Sequence, residues 1–96
     1  MKARFHPAAE QELAAAVALG EARGLGLGLE FLAEDKLVTE LLCDTPRIGE
    51  PLAALHRRFP LRRFPLSRIY RVDGEVLYVV AIAHRRQRPG YWQGRT

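Results

Sequence analysis

The sequence predicts an α+β fold in the order β-α-α-β-β-β, with a two-helix hairpin packed on one face of a small, mostly antiparallel sheet. Three observations predict it. Residues 7–44 are rich in Ala, Leu and Glu, which favour helix, and a glycine cluster at Gly24, Gly26 and Gly28 divides them once. From Leu55 onward β-type residues dominate. The dipeptide Asp73-Gly74 lies between the runs SRIYRV and EVLYVVAIA, a strong short-range hairpin signal. Ninety-six residues fit one domain, 1–96.

The elements follow in order. Lys2 to Phe5 reads as a first strand. His6-Pro7 then opens a helix, because proline at the first helical position loses no hydrogen bond. Leu13, Ala16, Val17 and Gly20 fall on one face of that helix. After the glycines a second helix is expected from about Leu29 to Asp44. Its apolar face holds Leu27, Phe31, Val38, Leu41 and Leu42, interrupted at Glu34, and Pro46 stops it. A short Gly-containing turn between two helices reads as an αα-hairpin. Phe59 to Phe64 is expected as the next strand, confined near its ends by Pro60 and Pro65. Residues 66–72 follow, and neither of these two strands alternates cleanly. Val76 to Ala83 is apolar throughout, which suits a central strand covered on both faces.

Charge is divided unevenly. Residues 1–56 carry five Lys/Arg against nine Asp/Glu, net −4, and residues 57–96 carry ten Arg against two acids, net +8. Every basic residue of the second half is arginine. The guanidinium is a planar fork that suits phosphate and carboxylate alike, so the second half is expected to present a face to an anionic partner. No apolar run is long enough for a membrane helix. The charged N-terminus lacks the apolar core of a secretion signal. Cys43 is the only cysteine, and a reduced, cytoplasmic protein is expected.

Several chemistries are unsupported. His6, His56, His84 and Cys43 are scattered without metal-ligand spacing, so no metal or cofactor is expected. The glycines follow a helix and lack a GK[ST] sequel, against a phosphate loop. Ser67 is the only serine, and no nucleophile set is visible. What remains is a set of basic and aromatic residues. A metal-free ribonuclease needs a proton acceptor, a proton donor and cations around the phosphate. His84, Arg86 and Tyr91 near the last strand, with Arg57 and Arg62 near the preceding one, could supply these. The plainer alternative is structural. In it His84 bonds a backbone carbonyl, Tyr91 and Trp92 cap the sheet, and Arg95 pairs with a helix carboxylate.

The stretch RRFPLRRFPLSRIYRVDGEVLYVVAIAHRRQRPGYWQGR resembles the C-terminal half of RelE/ParE-family toxins of type II toxin–antitoxin systems. FHPAAEQEL and GLGLGLEFLAE are similar to the family's opening strand and helix pair. The ending, His84-Arg85-Arg86 then Pro89-Gly90-Tyr91-Trp92 and Arg95, is closer to the ParE-like, plasmid-stabilisation branch. The resemblance implies a growth-inhibiting toxin neutralised by a cognate antitoxin in a hetero-oligomer. ParE-like members poison DNA gyrase, and RelE-like members cut mRNA on the ribosome. For RelE-like cleavage it points to Arg57, Arg62, Arg86 and Tyr91. RelE-like catalysts tend to place lysines on the second strand, and here only arginines occur. Arginine stays protonated and is a poor general base, so proton transfer would fall to His84 or Tyr91. A gyrase-directed toxin needs only a complementary surface. Arg57, Arg58, Arg62, Arg63, Arg85, Arg86, Trp92 and Arg95 are the expected residues for meeting target or antitoxin. A third reading is an inactive or nucleic-acid-binding partner of an antitoxin.

Overall fold

The computed structural model describes residues 1–96. Strand β1 (Lys2–Phe5) leads into helix α1 (Pro7–Arg23), and helix α2 (Leu27–Asp44) follows. A turn of 3₁₀ helix at Pro46–Ile48 precedes the two-residue strand β2 (Glu50–Pro51). Strands β3 (His56–Pro60), β4 (Leu66–Asp73) and β5 (Val76–His84) complete the chain's regular structure. The sheet runs β1-β5-β4-β3-β2. Only the β1–β5 pairing is parallel; the other three are antiparallel. The fold is therefore the α+β arrangement expected, with one short strand added.

The helix hairpin forms as its sequence dictates. His6 caps α1 with its Nδ1, which accepts the Ala8 N–H at 3.0 Å. The Glu21 carboxylate accepts the N–H groups of Gly26, Gly28 and Leu29 at 2.8–3.3 Å, satisfying donors that open α2. That carboxylate lies below the usual range, first because the Gly26 N–H donates to it, against the opposing pull of burial. Gly28 lets the helices touch: a Cβ there would come within 2.4 Å of the Val17 carbonyl oxygen. Gly26 takes φ +84, a left-handed conformation that glycine adopts without strain.

Two corrections concern boundaries. The second main strand, β3, is His56–Pro60 and not Phe59–Phe64. Pro60 has no N–H to continue a ladder, and the chain turns back so that the Leu61 N–H reaches the Leu66 carbonyl at 2.9 Å. Helix α2 begins at Leu27, two residues earlier than its apolar run suggested, and its buried stripe is Gly28, Phe31, Asp35, Val38 and Leu42. Leu41, expected inward, is exposed.

The core is split by the sheet. On the helix side lie Ala9, Phe31, Val38, Leu42, Tyr70, Leu77, Val79 and Ile82. On the other side lie Ile69, Val80, Ala81 and Trp92. A β-bulge between Ile69 and Tyr70, opposite Val79–Ala81, puts Val80 and Ala81 on the same face. This is why β5 does not alternate, and why it is covered on both faces: by helices on one, by the C-terminal segment on the other. One ion pair crosses the helix-side core. Arg68, fully buried, meets Asp35 of α2, donates to the Asp35 backbone carbonyl at 3.1 Å and lies 5.3 Å from the Phe5 ring centroid. Burial pushes the Asp35 carboxyl up while Arg68 pulls against it. No helix is long and apolar enough to cross a membrane.

Candidate functional site

The face of the sheet opposite the helices carries a basic groove. Its floor is made of the small residues Ser67 and Ala83 and the aliphatic Ile69. Ser67 on β4 pairs in register with Ala83 on β5, and Ile69 pairs with Ala81. One wall is β3, whose residues His56 and Arg58 point away from the helices, as strand alternation requires when Phe59 packs on the helix side. The other wall is the turn Gln87–Trp92. Arg58, Ser67, His84, Arg85, Arg88, Tyr91 and Trp92 line this cleft, about 290 Å³ in volume. Arg58, Ser67 and Arg85 also line the adjoining cleft, about 450 Å³, which continues past Arg62 and Arg63. The two clefts form one track with five arginines and no carboxylate in its lining.

The C-terminal wall is held down by one carboxylate. Strand β1 ends at Phe5, opposite Val79, and leaves the edge of β5 bare from Val80 onward. Backbone groups at such an edge need partners. Glu12 of α1 accepts the Ile82 N–H at 3.0 Å, the Tyr91 O–H at 2.8 Å and both terminal nitrogens of Arg95 at 3.0 Å. Arg95 also donates to the Val80 carbonyl at 3.0 Å. Burial alone would raise the Glu12 carboxyl, but the bonds from Arg95, Ile82 and Tyr91 hold it below the usual range. Burial and the bond to Glu12 push the Tyr91 phenol well up. Trp92 is only 6% exposed and meets the His56 ring at 4.7 Å between centroids. Burial, then Arg71, push the His56 imidazole down.

The sequence-derived candidates therefore separate into groups. His84, Arg85, Tyr91, Trp92 and Arg58 share the first cleft. Arg62 and Arg63 lie in the turn after β3; the Arg62 side chain is exposed and unpaired, while Arg63 pairs with Glu30 at 2.5 Å and lies over the Phe64 ring. Arg86 is exposed on the turn beyond β5, outside both clefts. Arg57 points to the helix side and donates to the carbonyls of Arg47 and Gly49 at 3.0 and 2.7 Å. Arg95 is engaged by Glu12. His84 does not bond a carbonyl, as the structural alternative supposed; its Nδ1 accepts the Arg86 N–H at 3.0 Å. Arg57 is in register with Tyr70 and His84 with Leu66, four residues apart along β4, or roughly 13 Å. Arg57 thus stands apart from His84 and Tyr91.

Two contributors escaped the sequence reading, and a third was foreseen only as a helix carboxylate pairing with Arg95, which the Arg95–Glu12 pair bears out. Arg88 lines the cleft, and its signal was the run RRQR. Glu12 is the latch, and its signal was an acid on α1 one turn from Ala9 and Ala16. Ser67 on the floor carried no signal of its own.

A second, apolar groove lies on the helix side. Glu34, Leu37, Val38, Leu41, Phe59, Pro60, Arg62 and Arg63 line a cavity of about 520 Å³. Leu37 and Leu41 are 66% and 44% exposed, a patch of the kind that marks contact with a partner.

This fold has a known counterpart. The family model described as "ParE toxin of type II toxin-antitoxin system, parDE" matches residues 3–89. The chain belongs to the ParE toxin family. It is a ParE-type toxin of a type II toxin–antitoxin system. The matched residues include the arginine turn 85–88 and stop short of Tyr91, Trp92 and Arg95. A solved structure titled "Chromosomal ParDE TA system from P. aeruginosa" shares this ParE fold, with a TM-score of 0.69 and 20% identity. The alignment covers 88% of this chain and 95% of that one. No curated protein matches the chain.

Proposed function

We propose that this ParE-family chain stops growth by binding DNA gyrase, and that a cognate antitoxin relieves the block by covering it. The observation that carries this reading is the scattering and engagement of the residues a ribonuclease would need. The Tyr91 hydroxyl donates its hydrogen bond to the Glu12 carboxylate. Arg57 is spent on two backbone carbonyls on the far face. What is left free is cationic surface: Arg62, Arg85, Arg86 and Arg88 are exposed and make no side-chain ion pair or hydrogen bond. Such a surface binds and needs no general base. With purified gyrase, near-stoichiometric toxin should abolish supercoiling of relaxed plasmid; full supercoiling in its presence would overturn the proposal.

One observation favours a second reading, a ribosome-dependent mRNA endonuclease: His84, Arg85, Arg88 and Tyr91 do share one cleft. Primer extension on translating ribosomes distinguishes the two. Cleaved transcripts that become intact in a His84→Ala, Tyr91→Ala double variant would favour the nuclease.

The antitoxin is expected to use the apolar groove. Leu37, Val38, Leu41 and Phe59 offer an apolar strip, and Arg62 and Arg63 flank it. An amphipathic segment with acidic residues on one side suits that arrangement by helix-in-groove contact.

A further inference from the structure

We infer that the cavity between the tip of the helix hairpin and the β3–β4 turn binds a small amphipathic carboxylate, an anionic head on an unbranched alkyl tail. This rests neither on gyrase being the target nor on the antitoxin using the Leu37–Leu41 groove.

Small residues create the space. Ala16 and Gly20 stand about one turn apart on α1, and neither fills the gap beside the segment Phe64–Leu66. Gly20 is confined to its size by α2, because a Cβ there would come within 3.1 Å of the Gly28 backbone. A cavity of about 280 Å³ is left, with Ala16, Leu19, Leu27, Phe64 and Leu66 as its apolar wall. Two of these are fixed from behind. Phe64 meets Phe31 edge-on at 5.2 Å between ring centroids, and Leu66 is in register with His84. A water molecule claims about 30 Å³ of liquid volume and a methylene roughly as much. A tail of about eight carbons therefore fills the space.

The charge at the rim selects the head. Arg23, Arg63 and His84 are the ionisable groups of the lining, which holds no Asp or Glu. Arg63 is paired with Glu30. Arg23, in the last turn of α1, is exposed, and its side chain makes no ion pair or hydrogen bond. The His84 Nδ1 accepts the Arg86 N–H, so the neutral ring carries its proton on Nε2, and that nitrogen has no partner in the chain. Two unspent donors thus stand beside an apolar space, the arrangement that orients a ligand with one polar end. Backbone donors cannot serve instead. The N–H groups of Gly26, Gly28 and Leu29 donate to Glu21, and those of Gly24 and Leu27 donate to Gly20 and Gly24 carbonyls.

The site is separate from the two grooves. It shares only His84 with the first basic cleft and only Arg63 with the Leu37–Leu41 groove. The latter carries Glu34 in its lining, which repels a carboxylate.

Octanoate, kept below its micelle concentration, is the probe. Titrated into the isotope-labelled full chain, it should shift the backbone amide resonances of Gly20, Leu27 and Leu66 saturably. Each methylene removed from the tail should weaken binding by about fourfold. Arg23→Gln should weaken it by about tenfold. Leu19→Asp, at a half-exposed position of the wall, should abolish saturation by placing a like charge beside the head. Octylamine, with a similar tail and the opposite charge, should not saturate these resonances. Lys36→Gln, an exposed charge on α2 outside the cavity, should bind octanoate as the wild type does. Four results would overturn the proposal: no saturable shift, shifts confined to Leu37 and Leu41, equal binding of octylamine, or wild-type affinity in either the Arg23→Gln or the Leu19→Asp variant.

Discussion

The two grooves of this toxin meet at the turn carrying Arg62 and Arg63 and differ in almost everything else. The helix-side groove is lined by Leu37 and Leu41, left outward when α2 committed its Phe31, Val38 and Leu42 face to the sheet, together with the edge of Val38 and Phe59 of β3. The sheet-side groove is a gap between a strand and a turn, floored by Ser67, Ala83 and Ile69 and rimmed by arginine. The first suits an amphipathic protein segment, which is buried by losing water from apolar carbon. The second suits an anionic surface, which is held by charge and is sensitive to salt. A 96-residue chain thus has two unlike grooves, one on each side of a single sheet. Each can be disabled while the other stands.

The largest effect is expected beneath the helix-side groove. Asp35→Ala would leave Arg68 charged and buried without its partner. A loss of about 3–5 kcal/mol is expected, read from urea denaturation. Replacing both residues, Asp35→Leu with Arg68→Met, should return most of it; a double variant no more stable than the single one would break the assignment. Next comes the groove itself. Leu37→Asp with Leu41→Asp should weaken antitoxin binding by about 3 kcal/mol, or roughly 100-fold, by calorimetry with the product of the adjacent reading frame.

Smaller effects belong to the latch of the sheet-side groove. Glu12→Gln should cost about 1–3 kcal/mol, since it weakens charge-assisted bonds to Arg95, Tyr91 and Ile82. Its pH dependence has a definite sign. The Glu12 carboxyl is held below its ordinary value in the folded chain, so its contribution is complete above the ordinary carboxylate range. It is lost as pH falls through the depressed value. Acid titration of stability should therefore be flatter in the variant than in the wild type. Tyr91→Phe removes one hydrogen bond and should cost about 1 kcal/mol, seen as a small drop in midpoint; a loss as large as that of Glu12→Gln would mean the ring, not the hydroxyl, holds the turn.

Local signals made most of the fold legible. The Asp73-Gly74 hairpin, the Pro7 helix entry and the glycine break between helices each act within a few residues, and each is found where the sequence put it. Long-range compensation was not legible. The β-bulge opposite Val79–Ala81 is set by tertiary packing, so the apolar run of β5 revealed two covered faces but not which residue faced which. Strand β2 is two residues long and exists only because residues 52–55 fold back; its Glu-Pro sequence has no strand character of its own. Asp35 sat in a buried stripe without an obvious partner, because Arg68 lies 33 positions away. The arginine surface was visible as a charge split. Its division into free arginines on one face and engaged ones elsewhere needed the register of β3, which Pro60 shifted by three residues from the expected start.

The most direct test is gyrase supercoiling with wild-type toxin beside the Arg85→Gln, Arg88→Gln variant. If the toxin acts on gyrase through its sheet-side groove, the wild type abolishes supercoiling near equimolar ratio and the variant needs about tenfold more or fails. Supercoiling unaffected by the wild type, or inhibited equally by both, would contradict that account.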